Sequence, residues 1–294
     1  MNIENFINTV KMLPPEIAVL LRAGTGVGKS HIVKDLAENH YKLPYIDVRG
    51  STMSEGDAGG YPDIEGMKDT GVMTFCMPSW FVRACQEPVV LFLDELPEYA
   101  RTVLEVLREP IESGEIRISR ANGTLTFPSQ FQLLAAMNPC PCGYSGHPTV
   151  ACSDTPQQIA QYRRKLSGPL LDRFDLHVEV SSQSGSVLLS NAEPAESSLS
   201  VYERVALARD KQYQRQGKLN SELKPNELSK VCPLNPEIQK ILESAMDRLA
   251  LSARAAHRVV KVARTLADLE GQDELQLKHI TEALAYRGMD RRST

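Results

Sequence analysis

Apolar residues in the first 180 positions fall into short runs that alternate with helix-like stretches. This alternation is typical of an α/β domain with parallel strands, because each parallel strand needs a crossover connection before the next one. The predicted strands are 17–22, 44–48, 89–93, 132–137 and 176–180. Two further short runs between Ile116 and Phe127 surround an Asn-Gly pair, which predicts a β-hairpin.

The apolar spacing changes to a helical period after residue 200. Ile238, Ile241, Leu242 and Ala245 recur at the intervals that place residues on one face of a helix. The predicted helices are 201–216, 236–250, 252–270 and 276–287. Before them, the text from residue 181 is rich in Ser, Gly, Ala and Glu and buries little apolar surface. We therefore predict an α/β core at 1–182, a flexible linker at 183–200 and a small all-α domain at 201–294.

Composition and charge exclude several classes of protein. The chain has 294 residues, of which 42% are hydrophobic and 24% charged, as in ordinary globular proteins. Its net charge of −4 excludes a protein held to nucleic acid by bulk charge alone, so a polyanion site has to be local. No apolar run approaches the ~20 residues of a membrane span, and the first residues lack a signal-peptide pattern. These features predict a cytoplasmic protein without a membrane partner.

The most specific motif follows the first predicted strand. Ala23-Gly-Thr-Gly-Val-Gly-Lys-Ser30 stands between that strand and a helix-like stretch, the order that a P-loop requires. Glycines let backbone N–H groups surround phosphates, the lysine reaches the β- and γ-phosphate oxygens, and the serine hydroxyl can ligate Mg²⁺. The predicted nucleotide-binding residues are Gly24, Thr25, Gly26, Val27, Gly28, Lys29 and Ser30. ATP and Mg²⁺ are the expected cofactors.

Polar residues follow two of the predicted strands. Asp94 and Glu95 end the run that begins at Val89, and Asn138 ends the run 132–137. In an open parallel sheet, ligands bind at the carboxyl ends of the strands. We expect Asp94 to hold Mg²⁺ through its water shell and Glu95 to polarise the attacking water. Asn138 can hydrogen-bond the γ-phosphate and that water, although an Asn before a proline is also a common turn former.

These motifs, with Gly168-Pro-Leu-Leu-Asp-Arg-Phe174 and Leu251-Ser-Ala-Arg254, resemble those of AAA+ ATPases. Residues 94–294 resemble the magnesium-chelatase-like group, which includes the chelatase ATPase subunit and the ComM-type competence helicases, and they are nearer to the ComM type. The matching text includes Asp94-Glu-Leu-Pro-Glu98, Leu107 to Arg120, Ala136-Met-Asn-Pro139, Ser167 to Asp175 and Lys261 to Asp268. The implied fold is an AAA+ P-loop core with a parallel sheet, followed by a small all-α lid.

Residues 1–93 resemble a different group, the MoxR-type AAA+ ATPases. The matching segments are Tyr45-Ile-Asp-Val-Arg49, Gly59-Gly-Tyr-Pro62 and Met77-Pro-Ser-Trp-Phe81. Both groups share sequence at Asp94-Glu95, so the pattern is that of a chimera joined near residue 94.

The resemblance assigns further roles. Arg173 matches the arginine finger that reaches the ATP of a neighbouring subunit, and its alternative is an ion pair with Asp172 or Asp175. Arg254 matches the sensor-2 arginine, and its alternative is a solvated helix residue. The predicted hairpin would face the pore of a homo-oligomeric, hexameric ring, so Arg117 and Arg120 are candidates for contacting DNA. An ordinary surface hairpin is equally consistent with this sequence.

Cysteine spacing suggests one metal set. Cys140, Cys142 and Cys152, with His147 between them, could form a tetrahedral site. The resembling family often has a fourth cysteine where this chain has Asp154, and this departure favours thiols without bound zinc.

The resemblance implies ATP hydrolysis to ADP and phosphate. The leading hypothesis for the biological role of this ATPase is a ComM-like ring motor acting on DNA, in branch migration or as a helicase during recombination or competence. The alternatives are a MoxR-like chaperone that remodels proteins, indicated by residues 1–93, and an ATPase subunit of a magnesium-chelatase-type complex, indicated by the ancestry of the lid.

Overall fold

The structure is a computed structural model that describes residues 18–24, 28–52, 61–62, 75–76, 79–120, 123–129, 131–180 and 196–288. The described residues fall into two compact units. One unit comprises residues 22–170, and the other joins residues 18–21 to residues 171–288. The first strand runs through the boundary between them.

Five strands form the main sheet, in the order β2-β5-β8-β1-β9. Their bounds are β1 Val19–Ala23, β2 Tyr45–Arg49, β5 Val90–Asp94, β8 Gln132–Met137 and β9 Leu176–Val180. All five strand predictions are therefore confirmed to within two residues. β2 pairs with β5 and β5 pairs with β8, both in parallel. Every residue of β5 and β8 is buried, which explains why their sequences read as continuous apolar runs.

Four further strands lie within the described part of residues 22–170. They are β3 Tyr61–Pro62, β4 Phe75–Cys76, β6 Glu115–Arg120 and β7 Gly123–Pro128. β6 and β7 form an antiparallel hairpin in which Arg117 pairs with Thr126 and Arg120 with Gly123. The predicted hairpin is confirmed.

The helices of the same unit lie between the strands along the chain. They are α1 Lys29–Asp35, α2 Ser79–Gln86, α3 Arg101–Val106, α4 Arg108–Ser113, α5 Pro156–Arg164 and α6 Gly168–Leu171. A π-helical turn, Leu36–Tyr41, continues α1. α5 begins with a capping box, in which the Thr155 hydroxyl accepts from the backbone N–H of Gln158 and the Gln158 side chain accepts from that of Thr155.

The unit that contains residues 171–288 is mainly helical. Its helices are α7 Ser198–Gln216, α8 Pro225–Val231, α9 Pro236–Leu249, α10 Ala253–Leu269 and α11 Leu277–Ala285. All four predicted helices are present, and α8 is an addition. α7 begins at Ser198, three residues before the predicted helix start at 201, because the Ser197 hydroxyl caps the helix by accepting from the N–H of Ser200. Residues 183–195 of the predicted linker lie outside the described residues.

A buried polar network joins three parts of this helical unit. The Asp268 carboxylate accepts hydrogen bonds from Arg264 at 2.9 Å, from Arg215 at 2.6 and 2.9 Å, and from Asn220 at 2.9 Å. Asp268 and Arg264 are almost fully buried. Because each charge is paired and hydrogen-bonded, the network offsets the cost of removing these groups from water.

The amino end of β1 is held by the stretch that leads into β9. The backbone N–H of Ala18 donates to the Asp175 carboxylate at 3.0 Å, and its carbonyl accepts from the N–H of Asp175 at 2.8 Å. Arg258 of α10 forms an ion pair with the same carboxylate.

Among the helices that the structure describes, none combines the length and the apolar character needed to cross a membrane.

Candidate functional site

The P-loop lysine is anchored in residues 22–170 by three oxygens. The N-cap residue of α1, Gly28, has a left-handed φ of 76°, a conformation that glycine adopts without strain. The Lys29 ammonium donates to the carbonyl oxygens of Ala23 and Gly24, each at 3.2 Å, and to Asn138 Oδ1 at 2.9 Å. The structure therefore joins Lys29 to the predicted polar residue at the end of β8. Thr25, Gly26 and Val27 lie outside the described residues.

The predicted Mg²⁺ residues are also in contact. The Ser30 hydroxyl donates to Asp94 Oδ2 at 2.9 Å, and Asp94 Oδ1 accepts from the N–H of Glu95 at 3.0 Å. Parallel pairing of β5 with β8 places Asp94 and Asn138 at the same edge of the sheet. A hydroxyl and a carboxylate oxygen at this separation are a suitable donor set for Mg²⁺.

Glu95 has an unusual backbone conformation and an unsatisfied carboxylate. Its φ of 56° and ψ of 46° lie in the left-handed region, which non-glycine residues occupy at a cost of about 1–3 kcal/mol. Its Oε2 is buried and has no hydrogen-bond partner within the described part of the chain. A buried acceptor of this kind needs a donor, and a water molecule beside a nucleotide phosphate would provide one.

Gly50 and Tyr99 support the backbone of Glu95. A Cβ added at Gly50 would lie 2.9 Å from the Glu95 carbonyl oxygen and 2.8 Å from Tyr99 Cδ2, so only glycine fits there without displacement. The Tyr99 hydroxyl donates to the carbonyl of Val48 at 2.6 Å. The Glu95 carbonyl accepts from the N–H of Glu98 at 2.8 Å, which begins a short 3₁₀ turn.

Electrostatics at the site suit a polyanion with a bound cation. Burial lowers the pKa of Lys29, while the charges of Asp94 and Glu95 act in the opposite direction. Burial raises the pKa of Tyr45, whose hydroxyl is 3.4 Å from the carbonyl of Ser30, so this phenol is neutral. A buried ammonium that neutral oxygens hold can exchange them for phosphate oxygens, and the nearby carboxylates can bind Mg²⁺. The residues present therefore fit ATP and Mg²⁺.

Arg173 and Arg254 belong to the other unit. Arg173 follows α6 and is a buried residue, 7% exposed, whereas Arg254 is an exposed residue in the first turn of α10. The Asp172 carboxylate accepts from the Ser252 hydroxyl at 2.9 Å and lies 3.8 Å from Arg287. Asp175, the other carboxylate considered for Arg173, pairs with Arg258. The finger and sensor roles remain predictions.

The predicted cysteine set has a different fourth member. Cys140, Cys142 and Cys152 lie together with Asp154, whereas the His147 ring accepts from the backbone N–H groups of Thr149 and Val150. The ring of His147 turns to its own loop because these two N–H groups have no strand or helix partner. The sequence-based suggestion that His147 belongs to the cysteine set is therefore wrong.

Sequence reasoning missed the supporting residues Gly50 and Tyr99. Tyr45-Ile-Asp-Val-Arg-Gly50 gives a strand followed by a glycine, but the glycine's neighbour is 45 residues away at Glu95. Pro97, two residues after Glu95, could have indicated that the chain turns sharply after β5, because proline is favoured at the start of a helix.

The P-loop follows β1, Asn138 follows the adjacent strand β8, and Asp94 and Glu95 lie at the end of the strand beyond it, β5. This arrangement defines an AAA+ nucleotide-binding core. Two family models match this chain. "Magnesium chelatase, subunit ChlI" matches residues 82–188, and "Magnesium chelatase, subunit ChlI C-terminal" matches residues 195–287. Together they cover more than half of the chain, which belongs to the magnesium-chelatase-like family of AAA+ proteins. The match begins at residue 82, twelve residues before the predicted start at 94.

Curated relatives agree with this assignment. The competence protein ComM of Haemophilus influenzae is 49% identical over 203 residues, which are 69% of this chain and 39% of that protein. Proteins named YifB from Salmonella typhimurium and Escherichia coli, both described as uncharacterized, are 46% identical over 202 residues, 69% of this chain and 40% of theirs. The chain thus spans about two fifths of the length of these relatives.

Proposed function

We propose that this chain is a cytoplasmic ATPase that hydrolyses ATP to ADP and phosphate with Mg²⁺. The observation that carries the proposal is the convergence of Lys29, Ser30, Asp94, Glu95 and Asn138 at one edge of the sheet. These five residues come from three separate parts of the chain. Direct hydrogen bonds link Lys29 to Asn138 and Ser30 to Asp94, and Glu95 is the residue next to Asp94. Structural ion pairs seldom combine a P-loop lysine with an unsatisfied, buried carboxylate.

Each residue has a defined task in the proposed reaction. Lys29 exchanges its bonds to Ala23 and Gly24 for phosphate oxygens, and Ser30 with Asp94 holds Mg²⁺, which neutralises charge on the phosphates. Glu95 accepts a hydrogen bond from the attacking water through its unsatisfied oxygen. Asn138, already bound to Lys29, positions the terminal phosphate.

Steady-state ATP turnover with Glu95→Gln tests this assignment. We expect Glu95→Gln to bind ATP normally and to lose turnover by about 10²–10⁴-fold, the contribution of a positioned acid or base. Glu109→Gln, at an exposed position of α4 in the same unit, is the matched control and should leave turnover unchanged. Equal turnover in the two variants would remove Glu95 from the reaction.

We propose further that the chain acts in a homo-oligomeric ring, a hexamer by resemblance, in which Arg173 completes the ATP site of a neighbour and Arg254 senses the γ-phosphate. Arg173 is 7% exposed in the single chain, so its proposed role requires ring assembly or nucleotide to uncover it. Arg173→Ala should bind ATP without turning it over. Mixing it with Glu95→Gln should restore part of the activity through mixed interfaces; intact rings without rescue would contradict a finger acting between subunits.

For the biological role of the ATPase, the leading proposal is a ComM-like motor that acts on DNA. It is supported by the similarity to ComM and by the β6–β7 hairpin that carries Arg117 and Arg120. DNA with a fork or a four-way junction should raise turnover, and the double variant Arg117→Ala with Arg120→Ala should abolish the increase but keep basal turnover. An increase that survives in the double variant would remove the hairpin from the mechanism.

Two alternatives predict other responses. A MoxR-like remodelling chaperone predicts turnover that DNA does not change and that a partner protein raises. The ChlI family models support the second alternative, an ATPase subunit of a metal-insertion complex, which predicts dependence on two further subunits and a porphyrin.

A further inference from the structure

Four ligand-type side chains meet in the loop that follows β8. The Sγ atoms of Cys140, Cys142 and Cys152 are separated by 3.4, 3.5 and 3.7 Å. Asp154 Oδ2 lies 3.9 Å from the Cys152 sulfur, and the four ligand atoms all lie within 4.8 Å of one another. These residues are called the thiol-carboxylate cluster below.

The spacing of the three sulfurs matches the requirements of one tetrahedral ion. Two sulfurs bound to zinc at about 2.3 Å with a tetrahedral angle are about 3.8 Å apart. The observed separations of 3.4–3.7 Å are within a few tenths of this value and far exceed the ~2.05 Å of a disulfide bond. Such close sulfurs leave room for a single ion among them.

We propose that the thiol-carboxylate cluster binds one zinc ion, with Cys140, Cys142, Cys152 and Asp154 as its four ligands. Three soft thiolates and one carboxylate at tetrahedral spacing favour Zn²⁺ over Mg²⁺ or Ca²⁺, which take oxygen ligands in larger number. Asp154 thereby takes the fourth position, for which the sequence had suggested His147.

Neighbouring backbone groups orient the proposed ligands. The N–H of Ser145 donates to the sulfur of Cys140 at 3.3 Å, and the N–H of Cys142 donates to Asp154 Oδ2 at 2.8 Å. Hydrogen bonds of this kind fix metal ligands in place and disperse their negative charge. Cys140 is completely buried, whereas the other three ligands are partly exposed, so an ion could enter from the solvent side.

The surrounding loop needs a link of this kind. Residues 138–155 contain no helix or strand, and a stretch of this length without either is unusual in a compact domain. The loop begins at Asn138, and the Gly143 carbonyl is 3.5 Å from the position of a Cβ on Gly24. A zinc ion would therefore hold the segment that contacts the P-loop and carries the residue bound to Lys29.

Zinc content of the full chain tests the proposal directly. The protein is purified without chelators under reducing conditions, and zinc is measured by mass spectrometry and by its release with a mercurial thiol reagent. We expect one zinc per chain in the wild type and in the control Cys232→Ala, which removes a buried cysteine of the other unit. Cys152→Ser should lose the metal. Wild-type protein that has titratable thiols and no zinc would overturn the proposal, as would equal zinc in Cys152→Ser.

Two variants of Asp154 remain informative if Cys152→Ser fails to fold. Asp154→Asn keeps the shape and the acceptor for the N–H of Cys142 but removes the charged ligand, so zinc affinity should fall by about 10-fold or more. Asp154→Cys should retain zinc, and its Co²⁺ form should gain sulfur-to-metal absorption over the wild type. Unchanged affinity in Asp154→Asn would mean that Asp154 only caps the Cys142 backbone, and the four-ligand site would be wrong.

Discussion

The substitution Gly50→Ala, which adds one methyl group, should reduce ATP hydrolysis while leaving ATP binding nearly unchanged. An alanine Cβ there would lie 2.8 and 2.9 Å from two ring carbons of Tyr99 and 2.9 Å from the Glu95 carbonyl oxygen. Neither neighbour can move freely. The Tyr99 hydroxyl donates to the carbonyl of Val48, and the Glu95 carbonyl accepts from the N–H of Glu98.

The cost of Gly50→Ala follows from these contacts. Overpacking a well-filled site costs about 1–3 kcal/mol, and a lost hydrogen bond adds about 0.5–1.5 kcal/mol. The gain from a stiffer unfolded chain is only about 0.4–1 kcal/mol. We therefore expect a net loss of about 0.5–4 kcal/mol. A shift of Glu95 by about 1 Å should also reduce turnover by about 10²-fold, with ATP binding little changed because Lys29 is not displaced.

Urea unfolding followed by circular dichroism, ATP turnover and ATP binding measure these effects. Gly168→Ala is the control, because an added Cβ there meets no atom within 4 Å and its backbone is not left-handed. It should be as stable as the wild type or more stable by about 0.4–1 kcal/mol. If Gly50→Ala matched Gly168→Ala in urea midpoint and turnover, packing against Gly50 would not restrain Glu95 and the reasoning would be refuted.

Three further changes test other contacts. Asp94→Asn should raise the Mg²⁺ concentration for half-maximal turnover by about 10–100-fold, since a carboxylate that orients the ion is lost; an unchanged Mg²⁺ titration would contradict its role. Asn138→Asp places a negative charge 2.9 Å from the Lys29 ammonium, which raises the pKa of Lys29 and should weaken ATP binding about 10-fold in calorimetry; wild-type affinity would contradict that contact. Asp268→Asn leaves buried arginine charge unpaired and should cost about 3–5 kcal/mol in urea unfolding, whereas Asp273→Asn, with a side chain 96% exposed, should cost almost nothing.

Local sequence predicted the elements well where burial and period determine them. β5 and β8 are buried along their whole length, so their apolar runs identify them without knowledge of their neighbours. The Asn-Gly pair in the sequence was sufficient to predict the β6–β7 hairpin, because the signal is local in the chain. The P-loop is also a continuous motif, and its Lys29 and Ser30 form hydrogen bonds with Asn138 and Asp94.

Features that depend on distant neighbours were not predictable. The sheet order β2-β5-β8-β1-β9 is set by pairing between strands far apart in sequence. The left-handed backbone of Glu95 is held by Gly50, and no local pattern in the strand before it signals this conformation. The sequence places Asp154 where the resembling family often has a fourth cysteine, but only the folded loop brings its carboxylate among the three sulfurs.

The bond between Ala18 and Asp175 has a consequence for biosynthesis. The two residues are 157 positions apart, and at ~5–20 residues per second the ribosome needs roughly 8–30 s to translate the interval. During this time β1 has been made but its neighbour β9 has not, so one edge of a highly apolar strand has no partner. Unpaired strand edges promote aggregation. Growth at lower temperature slows translation and prolongs that interval, whereas chaperones that shield nascent strands should raise the yield of folded protein.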